Sequence, residues 1–182
     1  VITIGHVPKG TSGRNTEEQI ADCLNTTGIY SVTRNPLYLG NFFMGLGAVL
    51  FLHLWWLVLI YMLAYCLYYE RIILAEEAFL RNKFGEEYLQ WASRTPAFFP
   101  KLSLYRKSEM PFSIRNVLRR EYNGFFGIIL VIFLLEVIGD LFVNGQCDFD
   151  LGWLILVGVG FVVWMVLRTL KKHTTLLSVE GR

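Results

Sequence analysis

LGNFFMGLGAVLFLHLWWLVLIYMLAYCLYY, residues 39–69, contains no Lys, Arg, Asp or Glu. As one straight helix this run is about 45 Å long, against a hydrocarbon core of about 30 Å. It is too long for one simple span and short for two full ones. Its flanks decide. Lys9, Arg14 and Arg34 precede it, and a dense set of Lys and Arg from Arg71 to Arg120 follows it. Lys and Arg favour the cytoplasmic side of a bilayer, so both flanks belong on one side and the number of crossings is even. The run predicts a helical hairpin turning near His53 to Trp56. Its second leg is the longer one, leaving the membrane at Tyr69 and continuing through Glu76 and Glu77.

Composition agrees with a chain partly solvated by lipid. Of 182 residues, 54% are hydrophobic, 15% aromatic and only 18% charged, where a soluble domain carries nearer one-quarter charged residues. The net charge of +2 is too small to suggest nucleic acid. Cys23, Cys66 and Cys147 are far apart and odd in number, so they offer neither a disulfide framework nor a metal site.

Outside the hairpin, Val1 to Ile4 reads as the end of a strand or membrane helix, and further membrane helices are expected upstream. Residues 5–16 form a polar loop rich in Gly, Ser, Thr and Asn. Thr16 and Gln19 have capping-box spacing and Gly28 offers a stop, predicting a short helix over 16–26 with Ile20, Cys23 and Leu24 on its apolar face. Residues 113–123 predict a basic interfacial helix capped by Ser113. Residues 124–143 and 152–168 are apolar and long enough to span, and the loop between them lacks Lys and Arg. The expected architecture is an all-α, multi-pass bundle of four crossings in a single membrane domain covering 1–182. It divides into a polar segment with the first motif (1–38), the hairpin (39–69), a cytoplasmic cofactor and interfacial segment (70–123) and two further spans. Gly45, Gly47, Gly158 and Gly160 lie inside apolar helices and read as close-packing positions.

Two polar segments, 28–41 and 76–100, flank the hairpin on the same side, so they can meet in space. In the first, Pro36 starts a helix and delivers Arg34, Asn35 and Tyr38 to its N-terminus. That is either an anion-holding turn or an ordinary interfacial helix start. In the second, Glu76 and Glu77 either pair with Arg71 or Arg81 at helical spacing or recognise a cation or ribose hydroxyls. Glu86 and Glu87 read as a solvated face. Glu136 and Asp140, one helical turn apart in a membrane segment, are further candidates. His53 belongs to the hairpin turn, and His6 and His173 sit in polar ends.

Taken in order, Arg34-Asn35-Pro36-Leu37-Tyr38-Leu39-Gly40, the hairpin, Glu76-Glu77, Phe84-Gly85-Glu86-Glu87-Tyr88, and Arg94-Thr95-Pro96 through Pro100 resemble the isoprenylcysteine carboxyl methyltransferase and phospholipid methyltransferase superfamily. The resemblance covers residues 28–100. It implies a multi-pass fold without a Rossmann domain, and S-adenosyl-L-methionine as cofactor at the cytosolic mouth of the helices. It further implies that Tyr30, Arg34, Asn35, Pro36, Tyr38, Gly40, Glu76, Glu77 and Tyr88 form the cofactor site, with Arg94 and Glu77 as catalytic residues and no metal. Two positions depart from the family pattern: Asn35 stands where His is usual, and Ala97 where a basic residue is common.

The implied acceptor is a membrane lipid or lipidated substrate. A phosphorylated lipid such as lipid A would be drawn by Lys9, Arg14, Arg119 and Arg120; a prenylated-cysteine carboxylate and a phosphatidylethanolamine amine are the alternatives. Methyl transfer from a sulfonium is an in-line displacement that needs alignment and desolvation rather than a nucleophilic triad. The resemblance places such an enzyme in a bacterial inner membrane with a cytoplasmic site. An NADPH-dependent membrane reductase of the sterol type and a non-enzymatic membrane subunit are the competing readings.

Overall fold

The computed structural model describes residues 1–6, 21–145 and 149–179. Their regular structure is helical, with α1 Ile2–His6, α2 Pro36–Phe51, α3 Trp55–Phe84, α4 Glu86–Arg94, α5 Ile114–Asn144 and α6 Leu151–His173. No strand occurs among the described residues, only an isolated antiparallel bridge between Gly28 and Arg106. Among the described residues there is therefore no sheet on which a Rossmann domain could be built.

α2 begins at Pro36, whose ring presets a helical φ and whose missing N–H would have been unpaired there. Asn35 before it, at φ −120° and ψ 56°, lies outside the helical region, which the proline ring disfavours for the residue ahead of it. α2 and α3 form a hairpin through Leu52, His53 and Leu54, and His53 takes a left-handed φ of 54° at the turn. The two legs are held by tyrosines of α3. Tyr61 donates to the Phe42 carbonyl (2.9 Å) and Tyr65 to the Tyr38 carbonyl. Tyr65 stacks on Tyr69 with ring centroids 4.0 Å apart. A Cβ on Gly45 would run into the Tyr61 phenol, so this glycine sets how closely the legs approach.

α5 lies along α6. Ser113 caps α5 by accepting from the Asn116 N–H at 3.3 Å, and Asp150 caps α6 by accepting from the Gly152 N–H at 2.8 Å. α6 ends with Lys171, Lys172 and His173 in its last turn, where cations complement the helix dipole. Asn123 of α5 accepts from the Trp164 indole of α6 at 2.8 Å. A Cβ on Gly160 would lie 3.2 Å from Ile129 and 3.4 Å from Phe126. Gly160→Leu is expected to force the two helices apart and cost about 1–3 kcal/mol. Thermal unfolding in detergent checks this, with Gly158→Leu, which meets nothing within 4 Å, as the neutral control. Of each glycine pair expected to pack closely, then, only one member does.

Three helices, α3, α5 and α6, are long and apolar enough to cross a membrane. α2 has 16 residues, about 24 Å and short of the roughly 20 residues that a full span needs. The four expected crossings thus correspond to three long helices and one short one, and the second leg of the hairpin is the longer, as expected. Two expectations change. Residues 21–26 are not helical; the Asn25 carboxamide accepts from the Thr27 N–H at 3.2 Å, a local bond that competes with a helix. Residues 7–20, including the start of that expected helix, lie outside the described set. The interfacial stretch 113–123 is not a separate helix but the first turns of α5, because nothing between it and 124 breaks the backbone ladder.

Burial is concentrated outside the long helices. Val32 and Thr33 are fully covered and Tyr88 is 1% exposed, whereas Leu63, Phe142 and Val143 on the long helices are more than half exposed. The helices leave their apolar sides for lipid to cover. The protein's own core forms where the two polar segments meet.

Candidate functional site

Residues 28–35 and 95–106 are zipped together. Gly28 N–H donates to the Arg106 carbonyl (2.9 Å), Arg106 N–H to Ser31 Oγ (2.8 Å), Lys101 N–H to the Val32 carbonyl (2.9 Å) and Arg34 N–H to the Pro96 carbonyl (2.9 Å). Asn35 donates through Nδ2 to the Ala97 carbonyl at 2.9 Å, and Thr33 Oγ1 reaches the Ala97 and Phe98 carbonyls. The two departures from the family pattern thus meet each other: the Asn35 amide is a clip, and Ala97 serves through its backbone.

This clasp sets the start of α2 against the end of α3. Glu76 and Glu77 are neighbours on α3 and so point about 100° apart. Glu76 accepts from the Tyr38 hydroxyl at 2.6 Å. Glu77 accepts from Arg34 Nη1 at 3.2 Å, and the same nitrogen reaches the Tyr88 hydroxyl at 3.4 Å. The acids are tied across the hairpin rather than to Arg71 or Arg81 on their own helix. The Arg34–Glu77 pair is mostly covered, with side chains 19% and 16% exposed. Arg34 Nε and Glu77 Oε1 are buried without a hydrogen-bond partner. Burial, and then Glu76, push the Tyr30 phenol well above its ordinary range. Burial and then Glu77 raise Tyr88, while Arg34 opposes them. Both phenols therefore remain protonated hydrogen-bonding groups at neutral pH.

Tyr30, Arg34, Asn35, Pro36, Tyr38 and Glu76 line one cleft of about 80 Å³. Glu77 and Tyr88 stand behind Arg34 and position it. Gly40 is exposed on α2 and off this wall. Leu37, Asn41, Leu80 and Trp91, which the sequence does not single out as site residues, complete the wall with the rim at Ala21, Cys23, Leu24 and Asn25. A signal exists for three of them: Leu37 lies within the first motif, Asn41 one turn beyond Tyr38, and Leu80 one turn beyond Glu76.

Arg94 is not in this cluster. It lines a second cleft, of about 240 Å³, with Glu87, Gln90, Ser31 and Arg106. Trp91 forms the wall common to both, fixed by its indole N–H donating to the Tyr30 carbonyl at 3.3 Å. Arg119 and Arg120 lie on α5 and line neither cleft. Lys9 and Arg14 fall outside the described residues. Glu136 lies within the membrane-length part of α5 and also lines neither cleft.

A nickel-cobalt-cadmium resistance protein, NccN, of Alcaligenes xylosoxydans xylosoxydans is 43% identical over 97 residues, 52% of this chain and 42% of that protein. A cobalt-zinc-cadmium resistance protein, CzcN, of Cupriavidus metallidurans is 44% identical over 85 residues, covering 46% and 38%. A protein-S-isoprenylcysteine O-methyltransferase of Schizosaccharomyces pombe is 34% identical over 77 residues, covering 42% and 33%. These matches thus span well under half the length of each relative. No solved structure matches the chain. Residues 13–87, which carry Tyr30, Arg34 to Tyr38, Glu76 and Glu77, match the phospholipid methyltransferase family, and over that stretch the chain resembles membrane methyltransferases in sequence as well as in motif.

Proposed function

We propose that this chain carries the donor site of an integral-membrane methyltransferase that uses S-adenosyl-L-methionine and acts on a lipid or lipidated acceptor. The observation that carries the reading is the acid-and-aromatic cleft in which Glu76 is held by Tyr38, beside Tyr30 and Trp91. Arg34 adds its charge to this wall, but Glu77 matches it. A carboxylate among aromatic rings favours a cation, and the cofactor's sulfonium is one. The buried Arg34 Nε, a donor without a partner, is available to the cofactor's carboxylate or ribose.

When bound, the cofactor supplies an activated methyl group. Tyr38 and Glu76 would grip its polar groups, Asn35 and Pro36 shape the wall, and Glu77 with Tyr88 keeps Arg34 in place. The cleft is smaller than the several hundred Å³ usual for a ligand of this size, so housing the whole cofactor requires the Ala21 to Asn25 rim to give way.

Arithmetic supports a site at the membrane surface. Glu76 is roughly 32 Å along α3 from Trp55, about one hydrocarbon thickness. The basic flanks favour a cytoplasmic position for that end, and α2, although short, reaches across if the bilayer thins around it. The acceptor and the activity of the whole protein are part of this proposal. Metal resistance, the setting in two relatives' names, is a second reading. Among the described residues no group of three His, Cys, Asp or Glu is placed to hold a metal, so it offers no ligand set to test.

Calorimetry on the full-length protein in detergent tests the donor site. Glu76→Gln is expected to weaken S-adenosylmethionine binding about ten-fold or more, and the uncharged S-adenosylhomocysteine by less. Binding of NADPH, and of neither adenosyl ligand, would replace this reading with the reductase.

A further inference from the structure

The second cleft has a use that the donor site does not supply. It lies between α4 and the turn at 102–106, and two arginines line it, Arg94 and Arg106. Among the described residues neither guanidinium has an ion pair or a hydrogen bond to its side chain, although the backbone N–H of Arg106 is anchored on Ser31. Gln90, Thr26 and Thr95 add neutral polar groups, and Glu87 is the one carboxylate on the wall. Two forked guanidiniums on one wall match the oxygens of a phosphate or carboxylate. The same pair repels a sulfonium, so the two clefts sort ligands by charge: a cation on the Glu76 side of Trp91, an oxyanion on the Arg94 side.

The geometry points to this cleft as an oxyanion site that takes a phosphate ester through Arg94 and Arg106. Its size, about 240 Å³, is just below the range of drug-sized pockets and fits a headgroup. Glu87 fits the ester rather than the bare ion, because a carboxylate accepts from hydroxyls of the esterified alcohol. Leu102 and Tyr105 on the adjoining turn are 77% and 60% exposed, an apolar and aromatic rim of the kind that sits at a membrane interface. As the seat of a methyl acceptor the cleft rests on the methyltransferase reading; as an oxyanion site it does not.

The test uses the full-length protein, with glycerol 3-phosphate as the soluble probe in detergent. Nanodiscs of phosphatidylcholine with and without phosphatidic acid supply the lipid-borne probe. Arg94→Gln/Arg106→Gln is expected to weaken binding of at least one probe about ten-fold or more, and Arg94→Lys/Arg106→Lys to retain most of it. Loss confined to glycerol 3-phosphate assigns a free phosphate ester, and loss confined to phosphatidic acid assigns a lipid headgroup. S-adenosylhomocysteine affinity is expected to stay within about two-fold in the Gln pair, since the clefts share only Trp91. Equal binding of both probes by wild type and the Gln pair, or no binding to wild type, overturns the proposal. Arginine-dependent phosphate binding in a protein that never binds S-adenosylhomocysteine would sustain the oxyanion site and remove the donor reading alone.

Discussion

Gly85→Ala is expected to lower stability by about 1–3 kcal/mol and to weaken ligand binding in both clefts at once. Gly85 joins α3 to α4 with φ 52° and ψ −125°, a region that a side chain's Cβ makes costly for every residue but glycine. Space is not the obstacle, because a Cβ there meets nothing within 4 Å. The effect is therefore one of backbone strain, and the chain relieves it by re-aiming α4. That helix carries Tyr88 behind Arg34, Trp91 between the clefts and Arg94 on the second. Thermal unfolding in detergent, with calorimetry of S-adenosylhomocysteine, reads both consequences. Gly127→Ala, at a helical position with equal space, is the control and is expected to be neutral or slightly stabilising. Equal behaviour of the two variants would show that the α3–α4 corner tolerates another conformation.

Arg34→Met is the second large effect, at about 3 kcal/mol. This is the lower end for a buried pair, since the side chains of Arg34 and Glu77 are still 19% and 16% exposed. The loss comes from leaving Glu77 mostly covered beside the Tyr88 phenol without its cationic partner. Arg34→Met/Glu77→Met is expected to cost clearly less than the two single changes added together, because it removes the stranded charge. Additive costs would mean that the pair contributes no coupling. Donor binding is expected to fall in all three variants, which separates the pair's part in folding from its part in the cleft.

The long helices were legible because hydropathy and charge speak directly to a bilayer. The turn at Leu52 to Leu54 falls where an over-long apolar run had to bend, and Ser113 caps α5 as its residue type suggested. The polar stretches were less legible. The capping and apolar spacing over 16–26 suggested a helix, but at 21–26 the chain is not helical and the Asn25 side chain binds the Thr27 N–H instead. The clasp between 28–35 and 95–106 is made largely of carbonyls and N–H groups, which every residue carries and no sequence pattern marks. Arg94 shows the same limit. The resemblance named it beside Glu77 as a catalytic residue, but on α4 it lies about 120° around from Tyr88. It therefore shares a face with Glu87 and Gln90.

The clasp also has a place in time. During synthesis the segment carrying Arg34 and Asn35 leaves the ribosome well before its partners at Pro96, Ala97 and Arg106. At roughly 5–20 residues per second, seconds pass in which Val32, Thr33 and Tyr30 have nothing to cover them. The intervening residues are the hairpin, whose insertion brings the two halves back to the same surface and so replaces a slow search by a short closure. Membrane insertion is thus the first step in building the site, and a nascent chain stalled before Arg106 would hold two inserted legs and no finished cleft.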